Sequence, residues 1–279
     1  MDADELLARY ATGERDFRGA NLRGANLVNE NLRELNFRQA NLTGANLSGA
    51  DLKGTNFREA ILRKAVFTGA HMEFSNLIGS DLTEANLAQA DLSESGIRGA
   101  NLTSAILDGA NIQSANLNEA TLDKAQLKQT NLAEAALNRC HLIETDLSHA
   151  KLEGASLANA LLTGAVLTGA NLASALLSGA NLDNADLREA DLSRAKLQGC
   201  TLVNAYLSQA NLRGANLSWS SLRGAKLQGA TLYRAKLNWS NLSGAMLTEA
   251  VMISASMEYV NLRNADLTGT ILPDGVTHG

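Results

Sequence analysis

A five-residue period runs through almost the whole 279-residue chain and restricts its fold more than any other feature. The stretch RGANLRGANL, at residues 18 to 27, shows the repeated word twice. All 52 positions whose numbers end in 2 or 7, from Phe17 to Leu272, hold Leu, Phe, Ile or Met. Of the 51 positions ending in 0 or 5 between Ala20 and Thr270, 37 hold Ala. The chain therefore repeats one large and one small residue without any insertion.

This period is incompatible with a helix or a flat strand. A helix turns about 100° per residue, so residues five apart would be distributed around its whole surface and would not form one apolar face. In a flat strand, residues five apart would point to opposite faces. A right-angle bend after each repeat solves both problems, because four repeats then close a four-sided coil with the large residues inside. Residues twenty apart should lie above one another, which predicts an interior ladder of Phe17, Phe37 and Phe57.

The remaining positions of the word have the residues expected at corners. Of the 23 Gly, 19 lie within the repeats at positions ending in 4 or 9, where a left-handed backbone is least costly for Gly. Positions ending in 1 or 6 are mostly Asn or Asp, whose short side chains bond to nearby backbone in turns.

The word resembles that of the pentapeptide repeat family, which reads Ala, then Asp or Asn, then Leu, then two variable residues. The resemblance covers residues 16–272. It implies an all-β fold, a right-handed quadrilateral parallel β-helix, here of about 13 coils. The opening LLARYATGERDF and the closing ILPDGVTHG are similar to the ends of cyanobacterial members, including heterocyst-associated ones.

Three segments follow from the pattern. Residues 1–15 are predicted to form an N-terminal helical cap, because an acidic start precedes the apolar Leu6, Leu7 and Tyr10 and a closing Gly13. Residues 16–272 form the β-helix. Residues 273–279 form a C-terminal tail that starts at a proline.

The sequence favours a cytoplasmic protein without a membrane span. Acidic residues stand at the start, where a secretory signal would carry positive charge. Residues 154–182 contain no charge, yet Asn and Gly recur there in the same five-residue register. A lipid-facing helix has no reason to keep that register.

No constellation of residues points to a reaction, a cofactor or a metal. The four His residues never repeat at the stacking interval, whereas zinc requires three or four convergent ligands. Carboxylates are scattered, and a filled coil provides no pocket in which a catalytic pair could be tuned. Cys140 and Cys200 occupy Ala positions and are expected to be buried, three coils apart and unable to form a disulfide. We therefore expect no enzyme activity, no cofactor and no small-molecule substrate.

One region differs from the rest in charge. No acidic residue lies between Asp191 and Glu249, and seven basic residues give this region a charge of +7 against −12 for the remainder. Trp219, Trp239 and Tyr259 are spaced by twenty, which predicts an exposed stack of rings. We define a basic–aromatic stripe as a candidate partner-binding surface; its members are Arg194, Lys196, Arg213, Trp219, Tyr233, Arg234, Lys236, Trp239 and Tyr259. The alternative is that the stacked rings only stabilise the fold.

Three functions remain open at this point. The first is a rigid, non-enzymatic scaffold for protein–protein interaction, which the resemblance places in cyanobacterial cell differentiation. The second, also implied by the resemblance, is mimicry of DNA against a type II topoisomerase such as gyrase, for which a uniformly acidic surface is expected. The third is binding of nucleic acid or an anionic surface along the stripe. Seven positive charges are sparse for that third role.

Overall fold

The computed structural model describes all 279 residues, which divide into two compact units, Met1–His141 and Leu142–Gly279. Both units are built from the same five-residue element, in which one bridging residue is followed by a turn. The only helix is α1, Ala3–Ala11.

Parallel pairing between residues twenty apart joins successive coils within each unit. In the first unit the bridges run from Asp16 with Asn36 to Thr121 with His141, and in the second from Asp146 with Val166 to Val251 with Ile271. A turn interrupts every repeat, so the bridges are isolated and no continuous strand forms. The predicted β-helical winding is thus confirmed as a coil of parallel bridges. The handedness of the winding and the number of coils stay predictions.

Each bridge is held by two backbone hydrogen bonds. The N–H of Leu22 donates to the carbonyl of Asn41 at 2.7 Å, and the N–H of Asn41 donates to the carbonyl of Ala20 at 2.8 Å. Within the repeat, the N–H of Ala25 donates back to the carbonyl of Leu22 at 3.1 Å and closes the turn.

The left-handed corner is a property of the position and not of glycine. Every residue from 19 to 269 whose number ends in 4 or 9 has a positive φ, whether it is Gly24 at 65°, Glu34 at 59° or Trp219 at 64°. For residues other than Gly this conformation costs roughly 1–2 kcal/mol. The sequence therefore predicted the corners correctly, but the register also imposes them where no Gly is present.

The Asn and Asp residues complete the backbone hydrogen bonding. The N–H groups at positions ending in 3 or 8 have no backbone partner within the repeat. In many repeats the side chain two residues earlier supplies one: Asn41 Oδ1 accepts from the N–H of Thr43 at 3.1 Å, and Asn101 Oδ1 accepts from the N–H of Thr103 at 3.0 Å. Because an unpaired buried donor is costly, this bond explains the preference for Asn and Asp at these positions.

The first unit contains the predicted phenylalanine ladder. The ring centroids of Phe17 and Phe37 are 6.0 Å apart, and those of Phe37 and Phe57 are 5.6 Å apart. All three rings are buried. Phe67 extends the cluster, meeting the edge of Phe57 at 6.0 Å.

Helix α1 covers the amino-terminal end of this ladder. Asp2 caps the helix by accepting a hydrogen bond from the N–H of Glu5 at 2.9 Å. Leu6 is fully buried, and the guanidinium of Arg9 lies 5.2 Å from the ring centroid of Phe17. The capping chemistry and one apolar face therefore position a helix where the sequence predicted one.

Several of the small polar residues that replace interior Ala donate a hydrogen bond to a carbonyl 23 residues earlier. Cys140 Sγ donates to the carbonyl of Leu117 at 2.8 Å in the first unit, and Cys200 Sγ donates to the carbonyl of Leu177 at 2.9 Å in the second. Both cysteines are free and buried, as predicted. Burial raises the pKa of each thiol to about 12.

The uncharged segment 154–182 pairs in the same parallel register, as Leu161 does with Asn181. No helix in the structure has the length and apolar character needed to cross a membrane.

We expect Asn101→Ala to destabilise the first unit by about 1 kcal/mol, because the N–H of Thr103 loses its acceptor. Asn101→Asp keeps an acceptor oxygen and should change stability by less than about 0.5 kcal/mol. Urea unfolding followed by circular dichroism measures both. Equal destabilisation by the two substitutions would contradict the role assigned to the side-chain oxygen.

Both thiols should be unreactive in the folded protein. With a pKa of about 12, each carries little thiolate at pH 8, and neither is accessible. Ellman's reagent should detect no free thiol in buffer and two after denaturation in guanidinium chloride. Rapid labelling of either cysteine in buffer would show that the interior is open.

Candidate functional site

Three aromatic side chains of the second unit form a continuous stack on its surface. The rings of Trp219 and Trp239 are 5.0 Å apart with an angle of 2° between their planes, and those of Trp239 and Tyr259 are 4.1 Å apart at 21°. Their exposed fractions are 66%, 48% and 73%. The predicted exposed stack is therefore present, with much of its area open to solvent.

A groove at the preceding corner contains four further members of the stripe. Its volume is about 520 Å³. The guanidinium carbons of Arg213 and Arg234 lie 4.7 Å and 5.0 Å from the ring centroid of Tyr233. The lining residues are Ser193, Arg194, Asn211, Arg213, Gly214, Tyr233 and Arg234. The structure thus brings Arg194, Arg213, Tyr233 and Arg234 together, as their spacing suggested.

The two lysines of the stripe lie along the chain between the groove and the stack. Lys196 and Lys236 both pair with Asn216, one from each neighbouring coil. Both are exposed at bridging positions, two residues after Arg194 and Arg234 respectively. The stripe is therefore one side of four successive coils, bounded by the arginine groove and the aromatic stack.

The basic residues of this region have no acidic partner. None of the seven between residues 191 and 249 lies in an ion pair. Just before the region, Arg188 pairs with Asp186 at 2.5 Å and lowers the pKa of that carboxyl. The positive charge of the stripe is consequently not neutralised by the chain itself.

The first unit shows the opposite arrangement. Six of its cations meet carboxylates on a neighbouring coil, as Arg33 does with Asp51 at 2.6 Å. The other pairs between neighbouring coils are Arg38–Glu59, Lys53–Glu73, Arg63–Asp81, Lys64–Glu84 and Arg98–Glu119. Cations and carboxylates on neighbouring coils can therefore form ion pairs in this fold, but the cations of the stripe form none.

Sequence reasoning missed two features of this surface. Gly214 lies between Arg194 and Arg234 in the same corner column and leaves the groove open there. Lys226 lies 3.9 Å from the ring centroid of Tyr206, which is 38% exposed, and forms a further cation–π pair outside the stripe. The spacing of twenty would have identified both, had it been applied to every column of the region.

The left-handed backbone of the three stacked residues offsets much of the stability that their stacking provides. Trp219, Trp239 and Tyr259 have φ values of 64°, 62° and 57°, a region unfavourable for bulky residues. The cost of roughly 1–2 kcal/mol per residue is similar to the 0.5–1.5 kcal/mol that a stacked pair contributes. The fold therefore gains little net stability from placing aromatic residues at this corner.

We expect Trp219→Gly to change the free energy of unfolding by less than about 1 kcal/mol, because the lost stacking is offset by relief of the left-handed backbone. Urea unfolding of the variant and the parent protein measures this difference. A loss above about 2 kcal/mol would favour a purely structural stack.

Comparison with known proteins identifies a family that has the same repeat. The family model for pentapeptide repeats matches overlapping and adjoining segments from residue 16 to residue 272. HetL, a pentapeptide repeat protein involved in heterocyst differentiation regulation from the cyanobacterium Nostoc sp. strain PCC 7120, is 32% identical, with 100% of each chain covered and a TM-score of 0.34.

Two further solved structures are similar to parts of this chain. A second pentapeptide repeat protein from Nostoc PCC 7120 is 33% identical over 36% of this chain and 80% of its own, with a TM-score of 0.34. QnrB1, a plasmid-mediated fluoroquinolone resistance protein, is 20% identical over 77% of this chain and 90% of its own, with a TM-score of 0.29. No curated protein sequence matches the chain. The extent of the family match and the full-length identity to HetL show that the chain belongs to the pentapeptide repeat family.

Proposed function

We propose that this protein is a non-catalytic scaffold that binds another protein through the basic–aromatic stripe. The observation that carries the proposal is that the five cations of the stripe have no ion-pair partner, although cations of the first unit pair with carboxylates on neighbouring coils. Unneutralised charge of one sign steers association with a surface of the opposite sign. The partner surface is therefore acidic.

The aromatic stack supports a protein partner. Trp, Tyr and Arg are the residues that dominate binding energy at protein interfaces, and this stripe contains all three. Rings that remain about half or more exposed can still bury apolar area on binding, at about 25 cal/mol per Å². The stack provides the apolar centre of the contact, and the arginines and lysines provide its charged rim.

The full-length identity to HetL supports a regulatory role in cyanobacterial cell differentiation. In this proposal the protein acts in the cytoplasm, with residues 1–15 as a cap, 16–272 as the repeat scaffold and 273–279 as a tail. DNA mimicry against gyrase fits less well, because the stripe has the sign of charge opposite to that of DNA.

The test compares capture of binding partners by two variants. The first combines Trp219→Asn, Trp239→Asn and Lys236→Gln in the stripe. The matched control combines Phe74→Asn with Lys53→Gln in the first unit, where an exposed ring in the same left-handed conformation lies 5.3 Å from a lysine. Asn tolerates a left-handed backbone, so both variants should fold.

We expect the stripe variant to lose at least about 90% of the acidic protein captured from a cyanobacterial lysate, and the control to retain it. Circular dichroism spectra should match that of the parent protein. Retention of every partner by the stripe variant would reject the proposal. Loss of all capture after nuclease treatment would instead assign the stripe to nucleic acid, as would a steep salt dependence of oligonucleotide binding.

A further inference from the structure

The arginine groove is open because of one missing side chain. Arg194, Gly214 and Arg234 occupy the same corner on three successive coils. An ideal Cβ on Gly214 would lie 3.9 Å from Arg194 Cγ, so any side chain there would project into the space between the two arginines. The backbone does not require Gly, since Asn204 and Asn264 occupy equivalent positions with φ values of 57° and 58°. The absence of a side chain therefore creates a notch and is not forced by the turn.

The guanidinium groups of the three arginines around this notch have N–H donors that form no ion pair with a carboxylate. Tyr233 is half-buried, and Arg213 and Arg234 both pack against its ring without a carboxylate partner. A guanidinium that contacts an aromatic ring keeps its N–H groups in the plane available for an anion. The ring thus holds two of the arginines in place and leaves their charge unneutralised.

The carboxylate of Asp191 is already engaged beside the groove. Its Oδ1 accepts hydrogen bonds from the N–H of Ser193 at 2.8 Å and from Asn211 Nδ2 at 3.0 Å. It forms no ion pair with Arg194 or Arg213. Three positive charges consequently face the notch with no competing counter-ion in contact.

We propose that this groove binds the phosphate group of a phosphorylated serine or threonine on the partner protein. The inference rests on the proposed function and deepens it by naming the chemistry that the partner presents. A phosphate monoester carries nearly two negative charges and three acceptor oxygens, which matches three guanidiniums. A carboxylate has one charge and two oxygens, and would leave one arginine unsatisfied.

The arrangement favours a single phosphate over a nucleic-acid strand or a nucleotide. Three cations converge on one notch, whereas a strand requires cations spaced along a track. Two guanidiniums already pack against Tyr233, the one ring in the groove, so it is a poor surface for stacking a base. The aromatic stack begins one repeat further along the coil, within about 18 Å of the groove, where it can receive the flanking peptide.

The probe is the peptide N-acetyl-Gly-phosphoserine-Gly-amide, with its serine and glutamate analogues as comparisons. Titration at about 50 mM salt, followed by phosphorus and protein NMR, should show the phosphopeptide binding at least about tenfold more tightly than either analogue. Binding should strengthen from pH 5 to pH 7.5, because the second ionisation of phosphate, near pH 6, increases the negative charge of the phosphate group.

Two variants locate the binding. Gly214→Asn fills the notch without changing charge, and Arg213→Gln removes one guanidinium; each should weaken phosphopeptide binding at least about tenfold. The matched control is Gly244→Asn, at a corner with φ 66° where an added Cβ meets no atom within 4 Å. This control should bind like the parent protein. Urea midpoints of all three variants show whether the fold is intact.

The outcomes separate this inference from the proposed function. Equal binding of the phosphorylated and unphosphorylated peptides, or parent-like binding by Gly214→Asn, overturns the inference. Inorganic phosphate or AMP binding as tightly as the phosphopeptide overturns the assignment to a protein partner. If the phosphopeptide fails to bind while the Trp and Lys variant still loses its partner, only the phosphate inference falls. If the phosphopeptide binds in the groove while that variant keeps every partner, only the scaffold role of the stripe falls.

Discussion

Parallel hydrogen bonding between residues twenty apart is the constraint on which the rest of each unit depends. In each repeat, two backbone N–H groups donate to the following coil and one donates to the preceding coil. A fourth N–H group donates within the turn. The fifth N–H is left to an Asn or Asp side chain. With this register set, the large residue must point inward beside a small one, and the corner must be left-handed. The identity of almost every residue in the word follows from one of these requirements.

The same register converts spacing in the sequence into columns on the surface. In the first unit, shared or adjacent columns bring opposite charges together, as in Lys53 with Glu73 and Arg33 with Asp51, and those cations are neutralised by the neighbouring coil. In the second unit they bring together Trp219, Trp239 and Tyr259, and beside them Arg194 and Arg234 across Gly214. A surface of this kind needs no loop or pocket inside the fold. Its chemistry is set by which residues share a column, and this is why a repeat protein can present a specific binding surface.

The period of five was enough to predict the bridges, the Phe ladder, the buried cysteines and the aromatic stack, because each depends only on residues twenty apart. The isolated character of the bridges was not predicted, since it depends on the turn that interrupts each repeat. The left-handed backbone at Glu34 or Trp219 was also missed, because residue preference alone points to Gly. The spacing placed the residues of the groove on one side of the coil, but it did not predict that Arg213 and Arg234 turn toward Tyr233, because side-chain direction at a corner does not follow from periodicity.

An engineered disulfide tests the register most directly. Ser221 and Asn241 pair in a parallel bridge, whereas Ser221 and Thr231 are ten residues apart and belong to no common bridge. Bridged residues lie about 4.8 Å apart, within the range of Cα separations that a disulfide accepts. Mild oxidation should therefore cross-link Ser221→Cys with Asn241→Cys and leave Ser221→Cys with Thr231→Cys reduced, as measured by mass spectrometry. Cross-linking of the second pair and not the first would contradict the coil of twenty residues.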